Sequence, residues 1–412
     1  MPNSNRKSGV TKSVMKKMLC FTIPIWASMM VNSLLGITDF LFLSSISNHY
    51  MSVVGLAYIP FNFLISLLVG VGIEANRTIA KGGKFNFLNI FIWTFVISSL
   101  ITLTALILSK YLLFFTWGNQ YFQEINTYFG FLTIAAIPTS ILFICTGLLR
   151  GSGKPHITLY FSGLCVVFNL IFDFIFITNH IFGDPLIECA VATVLADAFT
   201  VLSYLYYLRK TGMFYRKERM NISKFLKNAL TNSLEKIFSV STLQLVTGFF
   251  LVKIDIIYSA IYFALERFMQ PVLLYAHSHF EWIIYSRSKK IKTPIIIYLA
   301  YCILCLSLSV FFIYYLNMNS TATIYTFIYL SYIILFFIQR TIIAEFFVHE
   351  KGKIVNYISL MKNSLFISTL IILVKYDKLS LISFGLVNLT YLIIENTVLT
   401  MIKNQIQLKK EM

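Results

Sequence analysis

The run Asn86-Phe-Leu-Asn-Ile-Phe-Ile-Trp-Thr-Phe-Val-Ile-Ser-Ser-Leu-Ile-Thr-Leu-Thr-Ala-Leu-Ile-Leu-Ser109 contains no Asp, Glu, Lys or Arg. A helix needs roughly 20 apolar residues to cross a hydrocarbon core of about 30 Å. This segment meets that requirement, and the chain around it repeats the pattern. Apolar stretches recur at 18–43, 53–75, 86–109, 126–149, 157–178, 187–208, 231–252, 257–285, 293–316, 322–346, 354–374 and 379–402, the seventh and eighth being the least regular. Of the 412 residues 58% are hydrophobic and 12% charged, with mean hydropathy +0.76. A soluble domain carries about 25% charged residues. Too few polar side chains are present to coat a water-facing surface of this size. The expected fold is an all-α polytopic membrane protein of about twelve transmembrane helices in two six-helix bundles.

The net charge of +17 raises the question of a nucleic-acid partner. The distribution of the charge rules it out. Basic residues fall in alternate loops: Arg6, Lys7, Lys12, Lys16 and Lys17 in the N-terminal tail, then Arg77, Lys81 and Lys84, then Arg150 and Lys154. Further along they fall between Arg209 and Lys227, at Arg287 to Lys292, at Arg340, Lys351 and Lys353, and at Lys403, Lys409 and Lys410. The opposite loops hold Lys110, Lys253, Lys375 and Lys378. This is the positive-inside pattern. It implies an even number of spans, both termini cytoplasmic and the bilayer as partner. The first span is too long for a signal peptide and lacks a small-residue cleavage site, so it reads as a retained helix.

The longest hydrophilic segment, about 209–230, divides the chain near its midpoint. The expected organisation is an N-terminal lobe at 1–208, a cytoplasmic linker at 209–230 and a C-terminal lobe at 231–412. Weak internal similarity accompanies the division. Leu149-Arg-Gly-Ser-Gly153-Lys154-Pro and Val348-His-Glu-Lys-Gly352-Lys353-Ile-Val each place Gly-Lys between the fourth and fifth helices of a half. The six cysteines lie in or beside apolar helices, and Cys302-x-x-Cys305 reads as two small core residues. Beyond the metal-like spacing of Cys302-x-x-Cys305 and the pair His277-x-His279 there is no ligand pattern, and no Walker loop or nucleotide motif, so no cofactor, no resident metal and no enzyme activity are expected.

Ionisable residues inside a span mark function by default. Asp39 lies about five residues from the outer end of span one, with Asn32 seven residues earlier on the same helical face. Asp173 lies at similar depth in span five, with Asn169 one turn before it. Thr193 lies at that depth in span six, and Asp197 is one turn deeper. At 1.5 Å per residue, Asp39, Asp173 and Thr193 are each roughly 7–8 Å below the outer surface. Two carboxylates sharing a low-dielectric site cannot both ionise cheaply, so one takes a proton or recruits a cation. The second half is less legible. Glu235 in Asn-Ser-Leu-Glu235 is its best functional candidate. Glu266 and Arg267 interrupt span eight and are placed to pair with each other. Glu345 and Glu395 read as helix-end or structural charges.

The first half resembles the multidrug and toxic compound extrusion (MATE) family, within the wider superfamily of polysaccharide and lipid flippases. Pro24 is followed at the same interval as in MATE helix one by Gly36-Ile-Thr-Asp39. Gly70-Val-Gly72 leads into Ile79-Ala-Lys-Gly82-Gly83, and Pro138 precedes the Arg-Gly-Ser-Gly turn. Phe168-Asn169-Leu-Ile-Phe-Asp173 matches the fifth-helix Asn-x3-Asp, and Cys189-Ala-Val-Ala-Thr193 the start of helix six. The resemblance implies that Asp39 is the proton- or sodium-linked acid, that Asn169, Asp173 and Thr193 are its partners, and that the Pro24 helix bends when the acid is neutralised. The second lobe departs from the pattern: Thr231 or Asn232 stands where helix seven has its proline, and Asp197 is an added acid.

The implied function is a monomeric secondary exporter of small organic, drug-like or peptide-like solutes across a prokaryotic cytoplasmic membrane, in exchange for H⁺ or Na⁺. A lipid-linked oligosaccharide flippase is the first alternative, although it would be expected to line its cavity with basic rather than acidic residues. A non-transporting immunity or assembly protein is the second.

Overall fold

The computed structural model describes residues 4–46, 48–83, 85–117, 122–215, 220–238, 256–289, 296–315 and 320–411, with 242, 246, 250 and 291 between them. Fourteen helices are named among these residues. They are α1 (Ser4–Ile46), α2 (Asn48–Leu68), α3 (Gly70–Ala80), α4 (Phe87–Trp117), α5 (Phe122–Ile134), α6 (Ala136–Gly151), α7 (Pro155–Asn179) and α8 (Pro185–Lys210), followed by α9 (Ile222–Lys236), α10 (Ile256–Ser288), α11 (Ile296–Tyr315), α12 (Ser320–Val348), α13 (Gly352–Lys375) and α14 (Leu381–Glu411). Among the described residues, nine stretches are long and apolar enough to cross a membrane. They coincide with the first six and last three stretches read from the sequence, and α10 and α11 fall in the eighth and ninth, while much of the seventh lies outside the described residues. Large apolar side chains such as Leu100 and Ile107 on α4, Phe174 on α7 and Met361 on α13 are exposed. That outward apolar surface suits lipid as solvent.

The chain forms two compact units. One comprises Ala27–Ile237, the other Met1–Trp26 with Phe238–Met412. These limits differ from the sequence division in two places. The first 26 residues fall with the C-terminal helices, and α9 falls with the N-terminal ones. In the second unit, Phe21 stacks on Tyr285 with ring centroids 4.6 Å apart, and Trp26 Nε1 donates to the Pro271 carbonyl at 2.8 Å. In the first, Ser233 on α9 accepts the Gly70 N–H through its Oγ at 3.1 Å.

Two spans of the first unit are each built from two helices. Pro138 has no N–H to give the Ile134 carbonyl, so the helix breaks between α5 and α6. There Ala135 N–H bonds Leu132 at 2.9 Å in a tighter turn before α6 resumes. The α2–α3 break at Val69 and Gly70 is filled from α9. Beyond these breaks, α3 and α6 approach backbone to backbone: a Cβ on Gly147 would overlap the Gly72 carbonyl. Small residues permit this spacing between membrane helices.

The matched Gly-Lys turns are equivalent in a different register. In the first, Gly153 adopts φ +75° and Lys154 N–H closes on Leu149 at 2.9 Å. In the second, the left-handed position is Glu350 at φ +60°, and Lys351 N–H closes on Phe346 at 2.9 Å. Gly352 is the first residue of α13 instead. The structural counterpart of Gly153-Lys154 is therefore Glu350-Lys351, not Gly352-Lys353.

Several charges differ from the loop and helix-end reading. Arg77 is buried within α3, 5% exposed, and paired with Glu74, its Nε donating to Oε2 at 2.8 Å. Arg340 is buried on α12 with its guanidinium 4.7 Å from the Phe336 ring centre. Glu395 lies near the middle of the span Leu381–Gln405 and is buried. It accepts Gln339 Nε2 at 2.7 Å, Ser359 Oγ at 2.5 Å and Lys362 Nζ at 3.0 Å. Glu345 does pair near its helix end, with Arg287 at 2.8 Å and Lys403 at 2.5 Å. The side chains of Glu266 and Arg267 lie outside the described residues.

Candidate functional site

The site is built where α7 and α8 pack together. The buried face of α7 carries Thr158, Ser162, Cys165, Asn169, Asp173 and Ile177, spaced three or four apart as one helical stripe. All but Ile177 are small or polar, so α8 comes close. The start of α8 is fixed by Asp184, whose side chain accepts the Leu186 N–H at 2.9 Å, and by Pro185 in the first turn. Glu188 holds the preceding turn through the Phe182 and Gly183 N–H groups at 3.0 and 3.2 Å. These contacts set the rotation of α8 and so the direction of Cys189 and Thr193, one turn apart.

Asp39 on α1 projects onto this stripe and is fully buried. Its Oδ2 accepts the Tyr58 hydroxyl from α2 at 3.0 Å and the Thr193 hydroxyl at 3.2 Å. Asn169 Nδ2 donates to Thr193 Oγ1 at 3.4 Å. Asp173 is also fully buried, and neither of its carboxyl oxygens has a hydrogen-bond partner. Asp39 Oδ1 is unpartnered as well. Tyr128 from α5 packs beside Tyr58, ring centroids 6.3 Å apart, and its buried hydroxyl is unpartnered. Among the described residues, one ligand atom each from Asp39, Asp173 and Cys189 lies within 4.8 Å of the others.

The structure therefore brings Asp39, Asn169, Asp173 and Thr193 into one buried cluster. Asp39, Asp173 and Thr193 sit six to eight residues inside the helix ends Ile46, Asn179 and Pro185, slightly deeper than the sequence depth, with Asn169 one turn deeper than Asp173. The other candidates lie elsewhere. Asn32 is exposed. Asp197 is buried one turn along α8, both oxygens engaged, by Thr139 Oγ1 at 2.5 Å and Cys165 Sγ at 3.3 Å. Glu235 is buried on α9, a helix packed against α3. Pro24 lies inside α1, two residues before the handover between units at Trp26.

Sequence reasoning missed Tyr58, Tyr128 and the thiol of Cys189. Tyr58 and Tyr128 are two of 24 tyrosines and carry no charge signal. Cys189 was findable, since it lies one helical turn before Thr193. Glu74 was hidden because its neighbour Arg77 reads as a loop cation.

The helical bundle and its outward apolar surface are those of a polytopic membrane protein. Residues 24–175 match the model of the MatE family. Nearly the whole chain superposes on solved MATE and related transporters. A crystal structure of MATE in the straight conformation aligns with TM-score 0.77 and 18% identity, covering 97% of each chain. A MOP superfamily transporter from Pyrococcus furiosus, described by a binding pocket of reverse polarity, aligns with TM-score 0.76 and 18% identity over 94% of this chain and 95% of that one. An outward-facing multidrug resistance MATE family transporter of the MOP superfamily aligns with TM-score 0.72 and 17% identity over 93% and 94%. No curated protein matches the sequence. The resemblance read from the first half thus holds as a match of residues 24–175 to the MatE model, and the fold shared with those solved structures extends through both halves.

Proposed function

We propose that this protein is a secondary active exporter that moves small organic solutes out across a prokaryotic cytoplasmic membrane in exchange for H⁺ or Na⁺, with Asp39 and Asp173 as the coupling acids. One observation carries the reading: two carboxyl groups from different helices are fully buried together, and Asp173 has no hydrogen-bond partner for either oxygen. A buried carboxylate left bare costs several kcal/mol in a low-dielectric interior. A proton on the carboxyl, or a cation beside it, removes that cost. The group is thus set to gain and lose a cation as solvent access changes. Tyr58, Thr193 and Asn169 hold Asp39 in place for the exchange. Pro24, which has no N–H to give the Cys20 carbonyl, is the point at which α1 would bend when the acid is neutralised. The basic N-terminal tail and 6–7 loop support a topology with both termini cytoplasmic, and the proposed working unit is a single chain.

The test is transport by purified protein in liposomes under imposed pH or Na⁺ gradients, against a panel of organic cations and peptides. Gradient-driven movement should reach background in Asp39→Asn and in Asp173→Asn. Undiminished transport in both variants removes the coupling role. Proton or sodium specificity follows from which gradient drives movement.

A further inference from the structure

The orphaned oxygens of Asp173 sit beside a sulfur atom that proton or sodium coupling does not use. We infer that Asp39, Asp173 and Cys189 form a binding site for a thiophilic divalent cation of the Zn²⁺ and Cd²⁺ type. The inference shares its cluster with the coupling reading above and goes beyond it, since a metal site exists whether or not the cluster drives transport.

The three ligand atoms already lie within 4.8 Å of one another, and all three residues are fully buried. Ligand atoms around a tetrahedral Zn²⁺ stand about 2.3 Å from the metal for sulfur and about 2.0–2.2 Å for carboxylate oxygen. Small rotations of the side chains close that sphere. The fourth position then falls to a second carboxylate oxygen or a water. Independent of this spacing, Asp173 Oδ1, Asp173 Oδ2 and Asp39 Oδ1 have no hydrogen-bond partner. Buried polar atoms in a native fold are almost always satisfied, and an ion is one way to satisfy them.

The donor set selects the metal. Hard cations such as Na⁺, Mg²⁺ and Ca²⁺ are held by oxygen, whereas thiolate favours Zn²⁺ and its softer relatives. Binding lowers the buried charge. The Cys189 thiol releases its proton to solvent as the sulfur–metal bond forms. The two carboxylates alone bury a charge of −2, whereas a dication beside one thiolate and both carboxylates leaves −1, so the ion reduces the charge held in the low-dielectric interior. Such an ion would tie α1, α7 and α8 together at one point.

The probe is Cd²⁺, titrated into the purified full-length protein while the cadmium–thiolate charge-transfer absorption is followed in the ultraviolet. The native chain should show one saturable site per chain with that absorption, displaced by Zn²⁺ and not by Mg²⁺. A variant lacking the two less buried thiols, Cys20→Ser with Cys302→Ser, should retain it. Cys189→Ser should abolish it. Asp173→Asn should weaken cadmium binding at least about 100-fold, since even the partners of metal ligands are worth roughly 10–100-fold. Thermal unfolding in detergent checks that each variant is folded, and the Asp173→Asn arm stands alone should Cys189→Ser not fold. Absence of the absorption in the native chain overturns the inference, as does its survival in Cys189→Ser or undiminished cadmium affinity in Asp173→Asn. Loss of gradient-driven transport in Asp39→Asn without any cadmium signal in the native chain leaves coupling standing and removes the metal site. The reverse pattern leaves the metal site and removes coupling.

Discussion

Asp173 and Glu395 are both buried within membrane spans, one in each compact unit, and their surroundings are opposite. Glu395 takes hydrogen bonds or an ion pair from Gln339, Ser359 and Lys362, reaching it from α12 and α13. Asp173 takes none. A saturated carboxylate has nothing to gain from a passing ion and acts as a clamp between helices. A bare one is a vacancy in the charge balance, and a mobile cation is the natural way to fill it. The same residue class thus marks structure in one unit and, on the function proposed above, exchange in the other. Counting intramembrane acids does not separate the two cases; counting their donors does.

The comparison can be broken most forcefully at the clamp. Lys362→Met leaves Glu395 short of its only described cation partner, and breaking a buried pair in this way costs about 3–5 kcal/mol. Thermal or denaturant unfolding of the purified protein should register that loss. A native-like midpoint would make Glu395 no more structural than Asp173. Next in size, Asp39→Asn or Asp173→Asn should lower gradient-driven transport about 100-fold, equivalent to about 2.7 kcal/mol. The same two variants sharpen the contrast by what they leave alone. Asp173→Asn removes a charge with no partner, so stability should hold or rise by about 1 kcal/mol.

Two further changes calibrate the scale. Gly147→Ala forces a methyl group against the Gly72 backbone and should cost about 1–3 kcal/mol without touching either acid. The smallest effect belongs to the surface pair. Arg287 is 38% exposed where it meets Glu345, so Arg287→Ala should cost no more than about 1 kcal/mol, and less at high salt. A larger loss there would mean that exposed pairs, too, hold this fold together.

Much of the architecture could be read from the chain itself. The spans follow from hydrophobic length, which is a local property, and the N-terminal acid cluster from depth and helical phase. Depth places Asp39, Asp173 and Thr193 at one level, and phase places Asn169 beside Asp173. What escaped the sequence depends on contacts between distant segments. Arg77 looks like a loop cation because Glu74 neutralises it only once α3 is buried. Glu395 reads as either a helix-end or a structural charge, and the choice waits on Gln339 and Lys362, which lie on other helices. Asn32 shares a helical face with Asp39 and is nonetheless exposed, because a common face does not ensure a common neighbour. The position of α9 was also illegible: its polar start reads as linker, yet Ser233 fills the break at Gly70. The Gly-Lys match misled by sequence likeness, because a non-glycine, Glu350, accepts the left-handed turn.

The Lys362–Glu395 pair has a consequence for how the protein is made. Each charge alone, carried to the centre of a bilayer on a single helix, costs about 2.5–3.5 kcal/mol at insertion. Lys362 lies near the middle of α13 and Glu395 near the middle of α14, and only residues 376–380 separate the two helices. Entering the bilayer together as a hairpin, they would neutralise each other before meeting lipid. Biogenesis should therefore deliver these last two segments as one piece, and a ribosome stalled between them would leave Lys362 stranded at the translocon.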